Sequence, residues 1–257
     1  MIAAAVAAVG LGASALESAN VVGYQSQSAA SKPALTGGMA FRTTGASDKT
    51  FKLNDIALSG STYGADWIGF VNPTTSALDS SKNVTYYTPA ESIADYGDAS
   101  YAGWYDITDA DKGDVTYPCG TAFLANFTSP NVTVTYAGEV LKGENTVNCA
   151  GKPAAFVANL YPGNITMNQV TLTGSTYGAD WIGFVNATSS AVDSSRNLTY
   201  YTAAESAADY AGDTSYAGWY DITDTDKGDV VLNAGDGFLC NFTSPSVTVT
   251  FPTALAE

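Results

Sequence analysis

The chain is expected to be all-β, with two tandem homologous antiparallel β-sandwich or barrel-like domains following an N-terminal apolar leader. Three observations carry that expectation. The thirteen residues GSTYGADWIGFVN at 60–72 return unchanged at 174–186, an offset of 114. Runs rich in Val, Thr, Tyr and Phe are short and punctuated by Gly, Asn, Asp and Pro, the pattern of antiparallel strands and turns. Helix signals outside the leader are confined to PAESIADY (Pro89–Tyr96) and AAESAADY (Ala203–Tyr210), where Pro89 suits a first helical turn.

The repeat sets the organisation and is weighed before any single motif. SYAGWYDITD at 100–109 recurs at 215–224, an offset of 115, and NFTSP at 126–130 recurs at 241–245. The extra residue enters where DYGD (95–98) becomes DYAGD (209–213). Upstream, KPA at 32–34 reappears at 152–154, an offset of 120, which sets VVGY (Val21–Tyr24) opposite LKGE (Leu141–Glu144). The expected division is a leader at 1–16 and domains at 17–140 and 141–257. Each domain, at about 120 residues, is long enough to bury its own core.

In chain order, Met1–Leu16 is apolar and built from small residues. It falls short of the roughly 20 residues of a membrane span. It reads as a secretory segment ending in Ala13-Ser14-Ala15, with a retained apolar segment as the alternative. No membrane span is expected in the mature chain. VTVTY (Val132–Tyr136) and VTVTF (Val247–Phe251) alternate with period two, so one face is apolar and the other mostly threonine. AFLANF, GFLCNF and AAFVANL are more continuously apolar and read as strands buried on both faces. NVTYYT and NLTYYT supply one further strand each.

Charge and composition exclude several functions. There are 25 acidic against 10 basic residues, a net charge of −15, which repels nucleic acid and anionic lipid. Histidine is absent, so Ser-His and Cys-His nucleophile pairs are ruled out, and an enzyme is not expected. The three cysteines, Cys119, Cys149 and Cys240, occupy no shared repeat position. An exported chain permits one disulfide, either Cys119–Cys149 or Cys149–Cys240.

Two duplicated features carry candidate chemistry. Asp109, Asp111 and Asp114 recur as Asp224, Asp226 and Asp229, each set beside a glycine that permits a turn around calcium. The spacing departs from an EF-hand, and a plain surface turn competes with the metal site. Trp104 and Tyr105 recur as Trp219 and Tyr220 and could stack on a ligand such as a surface glycan. Burial in the core is the competing fate of the tryptophans, and Trp67, in ADWIGFV, reads as core.

ANVVGYQ after the leader, AAFVANLYPGN, AGDGFLCNF and VTVTYAGEV together resemble a family of uncharacterised secreted bacterial β-rich proteins. Those proteins share an A-N-V-V-G-Y start, a strand ending in A-N, a G-x-G-F strand and a terminal G-E-V. The first repeat departs from the pattern twice: Ala122 replaces the glycine of G-x-G-F, and ALTGGMAF lacks the A-N ending. The resemblance implies an exported β protein and brings no catalytic residues.

Two functions follow. The first is an extracellular structural protein that assembles head-to-tail with copies of itself into a filament or surface layer. The N-terminal Val21, Val22 and Tyr24 would add to a neighbour's C-terminal strand at Val247, Val249 and Phe251. The alternative is a secreted carbohydrate-binding or adhesin module that uses its duplicated aromatics for avidity.

Overall fold

The structure, a computed structural model, describes residues 22–29, 35–72, 77–78, 82–143, 145–150, 154–186 and 191–255. The expected leader at 1–16 and Val21 lie outside these residues. Antiparallel strands dominate, with two short α-helices, and every strand ladder among the described residues is antiparallel. No helix among them is long and apolar enough to cross a membrane.

The principal strands of the first repeat copy are β1 (Val22–Ser28), β2 (Leu35–Gly38), β3 (Ile56–Ser59), β4 (Trp67–Gly69), β5 (Val84–Tyr87), β6 (Gly103–Asp106), β7 (Ala122–Asn126) and β8 (Thr133–Val140). Those of the second are β9 (Asn145–Asn148), β10 (Ala154–Ala158), β11 (Thr171–Thr173), β12 (Trp181–Gly183), β13 (Leu198–Tyr201), β14 (Gly218–Asp221), β15 (Gly237–Asn241) and β16 (Thr248–Phe251). The first copy has a five-stranded sheet in the order β6-β5-β4-β7-β2, and the second repeats it as β14-β13-β12-β15-β10. A smaller sheet places β8 between β1 and β3, and its counterpart places β16 between β9 and β11.

Register ties these sheets to the repeat. Ser28 pairs with Thr133 on β8, and Asn148 pairs with Thr248 on β16. Ser28 and Asn148 stand 120 residues apart and Thr133 and Thr248 stand 115 apart, two of the offsets read from the sequence. The alternation read in VTVTY holds: Val132, Val134 and Tyr136 are buried, and Thr133 and Thr135 are half-buried. A one-residue slip would turn the apolar set outward, so the register is firmly fixed.

Both expected helices form. α1 (Pro89–Tyr96) begins with proline behind the N-cap Thr88, and Glu91 closes a capping box. It ends on Gly97 in the left-handed region at φ 73°. α2 (Ala203–Asp209) starts in the same way on Thr202 and Glu205. Its inserted residue is absorbed just past the helix, where Ala211 (φ 57°) and Gly212 (φ 96°) both turn left-handed.

Buried apolar side chains from both copies form one cluster, running from Phe41, Ile56, Trp104 and Phe123 to Met167, Trp219, Phe238 and Val249. The contacts that join the copies are reciprocal. The Gly38 amide donates to the Gly235 carbonyl at 3.0 Å, and its counterpart Ala158 donates to Gly120, the counterpart of Gly235, at 2.9 Å. Single bridges link Gly37 to Asp236 and Val157 to Thr121, again equivalent pairs with the copies exchanged. This is the self-complementary pattern of an isologous contact, which closes on itself. It leaves β5–β6 and β13–β14 at the ends of their sheets far from the join.

Candidate functional site

The most faithfully repeated strings surround one concave surface in each copy. The turn Thr62–Asp66 is held by Asp66, whose side chain is buried. It accepts the Thr62 amide at 2.8 Å, the Thr128 amide at 2.7 Å and the Ser129 amide at 3.1 Å. This one carboxylate therefore ties GSTYGADW to NFTSP. Burial pushes its pKa up, but the bonds from Ser129, Thr62 and Thr128 outweigh that and hold it below the ordinary value. Asp180 makes the same contacts to Thr176, Thr243 and Ser244.

The next residue of interest, Tyr63, is positioned by the helix. Glu91 accepts the Thr88 amide with one oxygen and the Tyr63 amide with the other, each at 2.9 Å. β5 and β6 then present Tyr87 and Tyr105 on their outer faces, and α1 with the turn after it adds Tyr96 and Tyr101. The DITD loop closes the rim. Its Asp106 accepts the Thr108 amide at 2.8 Å and the Ala110 amide at 3.1 Å, and Lys112 lies 2.9 Å away. That lysine, helped by Thr108, holds the Asp106 carboxyl well below the usual range. Asp109 turns left-handed at φ 58° and accepts the Tyr63 hydroxyl at 2.6 Å.

The result is a groove of about 330 Å³ lined by Tyr63, Tyr87, Tyr96, Tyr101 and Tyr105 with Asp95 and Asp109. The second copy rebuilds it at about 390 Å³ with Tyr177, Tyr201, Tyr210, Tyr216 and Tyr220 and with Asp209 and Asp224. Tyr96 and Tyr101 lie 4.7 Å apart between ring centres, and Tyr210 and Tyr216 stack at 4.2 Å. Tyr87 donates to Asp95, as Tyr201 does to Asp209. The Tyr63 hydroxyl is raised by desolvation and by Asp109, and that of Tyr87 chiefly by its bond to Asp95, so both remain protonated donors.

A second groove shares Tyr63 and Asp109 and is lined by Trp67, Val84 and Ile107. Its counterpart has Trp181, Leu198 and Ile222. Ile107 and Ile222, at the loop tips, are each 77% exposed.

Of the residues expected to bind a ligand, Tyr105 and Tyr220 line the tyrosine grooves. Trp104 and Trp219 do not. Both are fully buried, and their indole N–H groups donate to Ile56 and Val170 carbonyls at 2.7 Å. The reason is strand alternation: on β6 and β14 the tryptophan points inward and the next tyrosine outward. The reverse correction applies to Trp67, which reads as core: it and its counterpart Trp181 are half-buried and line the second groove of each copy. Tyr63, Tyr87, Tyr96 and Tyr101 were not singled out from sequence. The signal for Tyr63 was its place inside an unchanged thirteen-residue repeat.

The acidic triplets are not gathered around one point. Asp109 faces Tyr63, Asp111 accepts the Gly113 amide at 2.8 Å, and Asp114 pairs with Lys52 at 2.8 Å. Asp224 and Asp226 repeat the first two contacts, with Tyr177 and Gly228, and Asp229 is exposed. Among the described residues no three acidic, cysteine or histidine side chains converge in a metal-binding group.

The residues expected to join neighbours have partners within the chain. Val247, Val249 and Phe251 are buried, and β16 is flanked on both sides by β9 and β11. Val22 and Tyr24 lie exposed on β1, which pairs along β8 of its own copy. The edge proposed to receive a neighbour's N-terminus is thus already filled. All three cysteines are buried thiols. Cys119 donates to the Phe41 carbonyl, and burial lifts its thiol to about 12; Cys149 sits instead beside Cys240.

No protein-family model matches the chain, and no curated protein or solved structure matches it either.

Proposed function

We propose that the protein is a secreted, bivalent glycan-binding protein made of two tandem β-domains, each presenting one tyrosine-lined groove at a cell or matrix surface. The observation that carries this reading is the rebuilding of the same groove in both copies, with tyrosine at five equivalent positions and aspartate at two. Tyrosine suits sugar binding because its face stacks on the apolar face of a pyranose while its hydroxyl makes hydrogen bonds. Carboxylates at the rim accept bonds from sugar hydroxyls. Two sites on one chain raise retention on a polymeric ligand by effective concentration, with gains on the order of 10²–10⁴ when both engage.

The test is retention on immobilised polysaccharides, comparing the chain with a variant carrying both Tyr105→Ala and Tyr220→Ala. Loss of retention with an unchanged melting curve is expected. A variant retained as well as the parent would sink this reading.

Self-association is the second reading, and one observation favours it. Among the described residues β1 pairs with β8 on one side only, and its outward Val22 and Tyr24 are 66% and 72% exposed. An open edge with apolar side chains is a template for another strand. Copies of this chain would then meet through β1 itself rather than through β16, and electron microscopy of the purified protein would reveal the filaments.

A further inference from the structure

The tyrosine grooves share an electrostatic feature beyond their shape. Some loop carboxylates of the chain face a lysine: Asp106 has Lys112, Asp221 has Lys227 and Asp114 has Lys52. Among the described residues Asp95 and Asp109 have no such partner. Each accepts one tyrosine hydroxyl, and among the described residues neither forms an ion pair. Among the described residues no lysine or arginine lines the groove, and the same holds for Asp209 and Asp224 in the second copy. Two uncompensated carboxylates thus stand beside a concave wall of tyrosine faces, twice.

From this we infer that each tyrosine groove takes an ammonium group carried on an amino-sugar unit, in preference to a neutral or anionic sugar. The inference rests on the glycan-binding reading for its carrier, while the cation follows from the lining itself. Tyrosine faces attract a cation through their quadrupole, more strongly once it is desolvated. The two carboxylates supply charge on the rim without pairing to the protein. An acetylated amine would lose both attractions, and a uronic acid would meet like charge. The overall charge of −15 acts in the same direction, steering cations in and anions away.

The experiment is calorimetric titration of the full chain at mildly acidic pH, where the sugar amine is protonated. The probes are a glucosamine oligomer, its fully N-acetylated counterpart and tetramethylammonium chloride. The expected result is two sites per chain for the glucosamine oligomer, binding roughly tenfold tighter than the acetylated form. Competition by tetramethylammonium is also expected. Asp95→Asn with Asp209→Asn, at exposed positions where the amide can still accept the tyrosine hydroxyl, should weaken that preference and leave the fold intact. Equal or tighter binding of the acetylated oligomer would overturn the cation inference and leave glycan binding standing. If tetramethylammonium binds and neither oligomer does, the sugar carrier is wrong and the ammonium site stands. If none of the three binds, both readings fall.

Discussion

Gly38 and Ala158 hold equivalent places in the two repeat copies and face each other across the join, so that a β-carbon on Gly38 would lie 2.1 Å from that of Ala158. A second equivalent pair behaves in the same way, since a β-carbon on Gly237 would lie 2.8 Å from that of Ala122. Each pair has room for one methyl, and each contains one. The first copy's two departures from the resembled sequence pattern, at Gly38 and Ala122, are thus the complements of Ala158 and Gly237. Self-pairing of either copy would bring alanine against alanine at one pair and glycine against glycine at the other.

Gly38→Ala should therefore destabilise the chain by about 1–3 kcal/mol through overpacking at a contact that cannot relax outward. Adding Ala158→Gly, which moves the methyl to the other side, should restore most of that loss. A urea-unfolding cycle of the two single variants and the double variant measures the coupling. Additive losses would show that the two positions do not share one space.

The two neighbouring aromatics of β6 should separate stability from binding. Trp104→Ala removes a fully buried indole and its bond to the Ile56 carbonyl, for an expected loss of about 3–5 kcal/mol. Tyr105→Ala and Trp67→Ala act at the grooves and should lower ligand affinity with little change in melting temperature. Parallel thermal melts and titrations check this, and a Trp104 variant that stays stable but loses binding would reverse the assignment.

That contrast also marks what could be read from the residues alone. The repeat, the alternating Val/Thr strands and the two helices were legible because each depends on local spacing. The partner of β1 was not legible: the 120-residue offset only equates it with β9, and it pairs with β8 of its own copy rather than with a neighbour's β16. The site was less legible. Tyr63, Tyr87, Tyr96 and Tyr105 come from a turn, a strand, a helix and a second strand, and only the pairing of β5 with β6 and the bridge from Glu91 to Tyr63 bring them together. Trp67 reads as core and Trp104 stays open between groove and core because each strand is only three or four residues long, too short for alternation to fix its phase.

Stability should fall in acid through Asp66 and Asp180. Both have pKa values below the ordinary carboxylate value in the folded chain. Their contribution is present at neutral pH and is lost as the pH falls from about 4 towards the lower folded value. Asp66→Asn with Asp180→Asn would leave buried amides beside amide donors, costing about 1–3 kcal/mol for each pairing lost. The double variant should also show a flatter stability profile below about pH 4, which denaturant unfolding across pH measures. An unchanged profile would mean that other carboxylates govern acid unfolding.

Truncating the N-terminus tests whether β1 belongs to its own chain or to a neighbour. Residues Val22–Gln25 pair with Tyr136–Glu139, and Gln27, next along the strand, receives the Tyr136 hydroxyl at 3.2 Å. Gln27 also donates to Asp236 of the second copy at 3.1 Å, so β1 bridges the join. Removing everything up to Gln25 strips one side of β8 and uncovers Phe41, whose ring packs where a Gly23 β-carbon would lie, 2.1 Å away. The truncated chain should melt at a lower temperature and expose apolar surface to a hydrophobic dye. In an assembly that used β1 only between molecules, the same deletion would leave the monomer's melting temperature unchanged while abolishing filaments. Unfolding and sedimentation measured on one truncated sample distinguish the two outcomes, because the first lowers stability at any concentration and the second changes only the size.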